Sequence, residues 1–410
     1  MTLPTTEPDT PPDPRPQPGV VASTAGSHPA AQPAPWREAW RDRWLGWRDR
    51  LLASPRFQQL AAAFPPTRPI ARRRSRELFD LCAGFVYSQI LLACVRLRLF
   101  QHLADGPQSV AALVARTGLG EDALRRLLDG AVTLRLVEPR GRDRFGLGVL
   151  GAALLGNGGL PDMIEHHALL YADLADPVGL LRRDDRRDTA LARYWAYADN
   201  PAASALPPDA VAAYSRLMAA TQAFVADEVL AVAPLAGRRG LLDVGGGEGA
   251  FLCAAGARHP RLNLMLFDLP AVAARATARF EAAGLAGRAT AHGGDFRVDP
   301  LPAGADTVSL VRVLHDHDDD TVLALLRAAH RALPSGGLLV VAEPMAEAPG
   351  AERMGAAYFG FYLLAMGRGR PRTPSALYTL LEAAGFPRPR LLRSRNPLLL
   401  QVVVAEAGSP

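Results

Sequence analysis

The segment Leu241-Leu-Asp243-Val-Gly245-Gly-Gly247-Glu-Gly249, followed by Phe267-Asp268-Leu269-Pro270, constrains this chain more than any other. It reads as a strand, a glycine turn, a helix and a second strand closing on a carboxylate. Glycines without a Cβ let the backbone turn sharply and let a ligand lie against the main chain, where a helix N-terminus offers unpaired N–H groups. An acid after the second strand is placed to accept ribose hydroxyls, an arrangement that dinucleotide enzymes share. The additional carboxylate, Asp243, stands before the turn, where it is placed to hold a positively charged amino-acid amine. This favours S-adenosylmethionine over a nicotinamide dinucleotide, with capping of the turn as the structural alternative for Asp243.

Two segments downstream extend the pattern. Gly293-Gly294-Asp295-Phe296 falls where a third strand ends, and its acid and aromatic ring suit the exocyclic amine and the face of adenine. The apolar run Asp306 to Leu314 leads into His315-Asp316-His317-Asp318-Asp319. A helix follows, opened by Asp318 or Asp319 as its N-cap, with apolar residues at Val322, Leu325, Leu326 and Ala329. Pro334-Ser335-Gly336-Gly337 breaks it, and Leu338 to Ala342 forms a further strand ending at Glu343. The expectation is that His315 and Glu343 sit at the ends of neighbouring strands on the ligand side of an open sheet.

Five motifs in order, Leu-Asp-Val-Gly-Gly-Gly-Glu-Gly, Phe-Asp-Leu-Pro, Gly-Gly-Asp-Phe, Val-Leu-His-Asp-His-Asp-Asp and Val-Val-Ala-Glu-Pro, resemble the S-adenosylmethionine-dependent O-methyltransferases of the plant caffeate and bacterial polyketide type. The resemblance covers residues 75 to 405. It implies an α/β fold, a Rossmann-like class I methyltransferase domain preceded by an α-helical winged-helix dimerisation domain. It also implies that His315 is the general base and Glu343 its orienting carboxylate, and it carries the cofactor contacts onto Gly245, Asp268, Asp295 and Phe296. With the residues read directly, the expected cofactor set is Asp243, Gly245, Gly247, Asp268, Asp295 and Phe296.

The chemistry agrees on its own terms. A hydroxyl attacks a sulfonium methyl poorly unless its proton leaves as the bond forms, and an imidazole with a pKa of about 6.5 is mostly unprotonated at neutral pH and can take it. A carboxylate on the other ring nitrogen fixes the tautomer and stabilises the imidazolium. His315 as a purely structural residue is the alternative, and His317 reads as a wall residue, since the family has an aromatic there. No metal is expected, because the acids and histidines of 315 to 319 lie in one run that matches no common zinc or calcium spacing. Two departures stand out: Gly369-Arg370-Pro371, before Arg372-Thr373, lacks the second glutamate of plant relatives, and Val311 replaces their lysine.

The chain divides in sequence into a Pro-rich tail (1–35), a Trp/Arg extension (36–75), a dimerisation domain (76–200) and the methyltransferase domain (201–410). Ten prolines in the tail leave nothing to build a core, so disorder is expected there. Trp36, Trp40, Trp44, Trp47 and Leu51 fall on one helical stripe among Arg37, Arg41, Arg43, Arg48 and Arg50, and Arg72-Arg73-Arg74 follows. That combination suits a membrane interface carrying anionic headgroups; packing on the catalytic dimer is the alternative. Ser109 to Leu136 reads as helix, turn, helix, and Glu138 to Leu147 as a wing. Arg125, Arg126, Arg135, Arg140, Arg142 and Arg144 would suit duplex DNA, whereas the resemblance implies that this module dimerises the enzyme.

The net charge of +5 fits an anionic membrane surface or nucleic acid equally. The longest apolar run, Leu81 to Val95, reads as too short to span a bilayer. Cys82, Cys94 and Cys253 lie in apolar helical contexts and point to a reducing, cytoplasmic setting without disulfides. Phe85, Tyr87, Met218, Tyr358, Phe359, Phe361, Tyr362 and Met366 are expected near an acceptor. Phe57 to Arg74, Leu78 to Gln89 and Tyr358 to Gly367 resemble the bacterial carotenoid branch of the family, the demethylspheroidene or hydroxyneurosporene O-methyltransferases of phototrophs. The implied acceptor is a long, apolar, hydroxylated molecule methylated at a tertiary 1-hydroxyl. A phenolic or polyketide acceptor, and a DNA-binding regulator that senses S-adenosylmethionine, are the competing readings.

Overall fold

Short prolines and helix caps punctuate the N-terminal part of the chain. The computed structural model describes residues 35–183, 188–194, 222, 224–396 and 400–408; the tail before Pro35 and Met218 lie outside them. Contacts divide the described chain into two units, parted between Gly84 and Phe85. The first holds the helices Pro35–Ala53 and Pro55–Ala63 and the opening of a helix, Arg68–Arg96. Pro55 starts its helix where a missing N–H costs nothing. Trp40, Trp44 and Trp47 are exposed at 69%, 50% and 57%, so among the described residues nothing encloses these three rings. The Arg48 guanidinium lies 5.9 Å from the Trp44 ring centroid.

The apolar run expected to be too short to span a bilayer is part of a longer element. Arg68–Arg96 is one helix of 29 residues, with a stretch of mean hydropathy 1.8 that is 17% buried. By length and composition it is the one helix among the described residues able to cross a membrane. The expectation ended the run at its polar flanks, but helix propagation carries it through the arginines at 72–74, which remain exposed.

In the second unit Ser109 caps the helix Val110–Thr117, its Oγ accepting from the Ala112 N–H at 3.2 Å. Gly118, at φ 71°, closes that helix in the left-handed region where glycine is favoured. Glu121–Thr133 follows, and strands β1 (Gln108–Ser109), β2 (Val137–Pro139) and β3 (Arg144–Leu147) form an antiparallel wing in the order β1-β3-β2. Leu92, Leu99, Phe100, Leu113, Leu124 and Leu128 close its core.

Seven strands make the main sheet: β4 (Gly240–Val244), β5 (Asn263–Asp268), β6 (Ala289–Gly293), β7 (Thr307–Val311), β8 (Leu338–Glu343), β9 (Arg390–Leu392) and β10 (Gln401–Glu406). Their order is β6-β5-β4-β7-β8-β10-β9, parallel from β6 to β8, with β10 antiparallel to β8 and β9 to β10. β4, β7 and β8 are buried throughout, as expected for parallel strands covered on both faces. One core packs Phe251, Leu252, Ala276 and Phe280 on one face, and the other packs Leu325, Leu326, Leu377 and Phe386 on the opposite face. The chain runs outward from β4 through β6 and then returns to the other side of β4 at β7. That reversal opens a crevice at the carboxyl ends of the strands, and it sets Asp243 of β4 level with Ser309 of β7.

Candidate active site

The glycine turn after β4 is built from left-handed residues, Gly245 at φ 68°, Gly247 at φ 60° and Gly249 at φ 77°. A Cβ on Gly245 would meet Val313 at 2.8 Å and one on Gly249 would meet Phe280 at 2.5 Å, so these two pack the turn against the protein. Gly247 faces open space, and its N–H donates to Asp268 Oδ2 at 2.8 Å. Asp268 Oδ1 accepts from its neighbour Leu269 at 2.7 Å. The carboxylate expected to meet a ribose therefore also fixes the turn. Burial raises Asp268 to about 6, against the opposing pull of those two N–H groups and Arg275.

Asp243 is 1% exposed. Its Oδ1 accepts from Ser309 Oγ at 2.6 Å, whereas Oδ2 has no hydrogen-bond partner. Burial pushes its carboxyl up to about 7; the Ser309 bond opposes the shift and the nearby Asp268 adds to it. Two enclosed acids with an orphan oxygen between strands are electrostatically complementary to a cation.

Asp295 and Phe296 lie beside this pair, the segment anchored by the Gly294 N–H on the Asp268 carbonyl at 2.9 Å. Burial opposes ionisation of Asp295, but Arg297 outweighs it, donating to Oδ2 at 2.6 Å and to Oδ1 at 2.9 Å, and holds the carboxyl below the usual range. In this state the acid expected to face adenine is engaged by arginine. Phe296 meets His317 edge to face at 5.3 Å, which places His317 in the wall.

His315 is not at a strand end. β7 stops at Val311, Arg312 turns the chain through φ 57°, and His315 sits in a 3-10 turn, Leu314–Asp316. Glu343 organises that turn: Oε1 accepts from the N–H groups of Val313 at 2.9 Å and Leu314 at 2.7 Å, and Oε2 is hydrogen-bonded to His315 Nδ1. One buried carboxylate thus supplies the acceptor for two orphan amides and fixes the imidazole. His315 Nε2 lies 3.1 Å from Asp316 Oδ1, within ion-pair distance. Burial works against the imidazolium, but Asp316 and Glu343 outweigh it and raise His315 to about 10. The expected ordinary imidazole is therefore corrected in direction: the two carboxylates around the ring favour its protonated form.

Sequence reasoning passed over three residues. Ser309, a hydroxyl in an apolar strand, was visible but carried no pattern. Asp316 was hidden in the acidic run. Arg372, noted only as a landmark, is 6% exposed and donates to the carbonyls of Leu314 and His317, both at 2.7 Å, and to Asp319 Oδ1 at 2.7 Å. It clamps both flanks of the histidine turn. Gly369, at φ 82°, passes so close to the His315 carbonyl that a Cβ would lie 2.1 Å from it, which gives the departure at Gly369-Arg370-Pro371 a backbone role.

Of the expected acceptor residues, Phe359 lies edge-on to His315 at 6.1 Å and stands with Tyr358 and Tyr362 in one aromatic group. Met366 is buried in a core with Leu170 and Leu191. Phe85 is 70% exposed and Phe361 37%, and Tyr87 is half-buried.

A switch-point glycine turn with paired acids, facing a carboxylate-held histidine, defines a group-transfer enzyme built around a cationic nucleoside cofactor. The comparisons narrow the class: the O-methyltransferase domain matches residues 171–387 and the O-methyltransferase dimerisation domain residues 79–157, so the chain belongs to the O-methyltransferase family. It is 47% identical over 356 residues to the demethylspheroidene O-methyltransferase of Cereibacter sphaeroides, covering 87% of this chain and 93% of that protein. It is 41% identical over 364 residues to the enzyme of the same name from Rhodobacter capsulatus, covering 88% and 89%. The structure of human N-acetylserotonin methyltransferase in complex with S-adenosylmethionine superposes with a TM-score of 0.69 at 25% identity, covering 82% of this chain and 98% of that one.

Because its folded value is raised, the His315 proton stabilises the fold fully below about pH 6.5, and that contribution is lost as pH rises through about 10. A histidine-resolved NMR titration of the unliganded protein should place the His315 midpoint well above 6.5. Glu343→Gln should lower it by about one unit or more. An ordinary midpoint unmoved by that change would refute the two-carboxylate description.

Proposed function

We propose that the protein transfers the methyl group of S-adenosylmethionine to the tertiary 1-hydroxyl of an acyclic hydroxycarotenoid of the demethylspheroidene or hydroxyneurosporene type, acting as a homodimer. The acceptor reading rests on the two relatives that carry that name, at 47% and 41% identity. The chemistry rests on one observation, the grip of Glu343 on His315 Nδ1, which makes Nε2, 3.1 Å from Asp316 Oδ1, the nitrogen to take a hydroxyl proton once the ring is neutral.

The residues present fit the cofactor. Asp243 Oδ2, buried and unpartnered, would take the amino-acid ammonium, and the open Gly247 face would admit the ligand against the main chain. Asp268 keeps lone pairs for the ribose hydroxyls, since each oxygen accepts only one N–H. Phe296 would cover adenine, and Asp295 would reach its amine on release from Arg297. S-adenosylmethionine supplies an activated methyl group on a positively charged sulfur.

His315 then has two tasks. It must release its resting Nε2 proton to solvent before the acceptor's hydroxyl takes that place, which a neighbouring positive charge favours by destabilising the imidazolium. It must next accept the acceptor's O–H proton at Nε2 as the oxygen attacks, while Glu343 holds the ring and stabilises the charge that returns to it. Arg372 and Glu343 fix the turn from both sides, so positioning supplies the remaining acceleration.

We assign residues 76–200 to dimerisation and 201–410 to the methyltransferase domain, in the cytoplasm at the inner face of a membrane that residues 36–75 touch. The exposed Trp40, Trp44 and Trp47 among arginines support this contact, because indole and guanidinium together suit an anionic interface.

Mass spectrometry of the protein with S-adenosylmethionine and a detergent-dispersed 1-hydroxy carotenoid should show a methyl ether that is lost in His315→Ala, while methylation of a parallel catechol alone would overturn the acceptor. The His315 midpoint should fall on adding S-adenosylmethionine and fall less with S-adenosylhomocysteine, whose sulfur is neutral; equal shifts would remove the charge argument. In sedimentation with phosphatidylserine-containing vesicles, the protein should bind and the triple change of Trp40, Trp44 and Trp47 to Ala should release it. Binding indifferent to those changes would exclude this surface.

A further inference from the structure

Beyond Phe359, away from His315, two histidines on the helix Leu160–Asp173 meet two tyrosines. His166 Nε2 is hydrogen-bonded to the Tyr362 hydroxyl at 2.8 Å, and His167 Nε2 to the Tyr358 hydroxyl at 2.6 Å. The tyrosines belong to a π-helical stretch, Arg353–Phe359, and the helix Gly360–Met366 that continues it. Their rings stack at 5.9 Å, and Phe359 bridges them to His315, 5.0 Å from Tyr358 and 6.3 Å from Tyr362. The aromatic wall is thus continuous from the histidine of the transfer site to the two His–Tyr pairs.

The pairs are neutral. Burial lowers His166 to about 4 and lowers His167 as well, and it raises both phenols. One need is evident: Tyr362 is buried with Leu170 and Leu191, Tyr358 packs part-buried against them, and a tyrosine hydroxyl among such side chains must find a partner, or it weakens the binding of any apolar group brought beside it.

We infer that His166 and His167 are positioning residues for acceptor selection: by engaging the hydroxyls of Tyr362 and Tyr358 they turn polar side chains into an apolar wall that a long hydrocarbon acceptor can lie against. The inference rests on the proposed apolar acceptor. It predicts that freeing a hydroxyl penalises a hydrocarbon chain and spares a small polyhydroxylated ring, which can bond to it.

The test compares kcat and KM for a 1-hydroxy acyclic carotenoid and for a catechol in the wild type, His167→Leu, His167→Gln and the double variant His167→Leu/Tyr358→Phe. His167→Leu should raise the carotenoid KM about tenfold, the scale of one unsatisfied buried hydroxyl, with kcat and the catechol KM little changed. Removing the stranded hydroxyl in the double variant should restore most of the loss, and His167→Gln, which keeps a polar partner, should suffer less than Leu. Thermal melts separate misfolding from altered binding, and the Gln variant carries the test if Leu does not fold. A double variant no better than His167→Leu, or equal losses for both acceptors, overturns the inference. If the wild type methylates only the catechol, the acceptor reading fails by itself. A phenol with a long alkyl chain then replaces the carotenoid, and the same pattern of loss and recovery decides the inference.

Discussion

Everything at the transfer site depends on where the Glu343 carboxylate is held. It closes β8 at 4% exposure, and it accepts from two backbone amides of a neighbouring segment as well as bonding His315. A buried carboxylate is tolerable only when its lone pairs are filled. The bonds that satisfy Glu343 are the ones that shape the turn and aim the imidazole. Removing it would strand two amides and release the ring together, so geometry and chemistry cannot be separated at this position.

The opposite wall of the crevice follows the same logic with the sign of the missing charge exposed. Asp243 and Asp268 are brought together by the register of β4 and β5 and pushed upward by burial, and only part of their hydrogen-bonding capacity is used. His315 lies between Asp316 and Glu343, and both carboxylates favour its protonated form. A site with surplus acids on one side and a retained proton on the other is arranged to respond to the arrival of a cation. Binding the methyl donor and readying the base become a single electrostatic event under the proposed function.

The N-terminal unit works by a different physics. Trp40, Trp44 and Trp47 are exposed, and little of Arg68–Arg96 is buried before Leu92, Cys94 and Val95. The dimerisation domain begins within that helix, at residue 79, so one element serves both the family's assembly module and the extension that precedes it.

The glycine turn, the closing acid of β5, the capped helix after Asp318 and the run of β8 were all legible in the sequence, because each is a local pattern whose physical cause lies within a few residues. Asp318 does cap that helix, accepting from the Thr321 N–H at 2.8 Å. What the chain alone did not disclose were contacts between distant segments: Arg372 reaching back across 55 residues to the His317 carbonyl, Ser309 meeting Asp243 across 66, and His166 meeting Tyr362 across 196. The environment of His315 belongs to the same class, since Glu343, 28 residues away, meets its Nδ1 while its neighbour Asp316 lies beside Nε2. Sequence determined which groups this protein carries and the strand ends near which they emerge; only the tertiary structure decided which of them face one another, because charge state and hydrogen-bond partnership are properties of juxtaposition and burial, and those exist only once the sheet has closed.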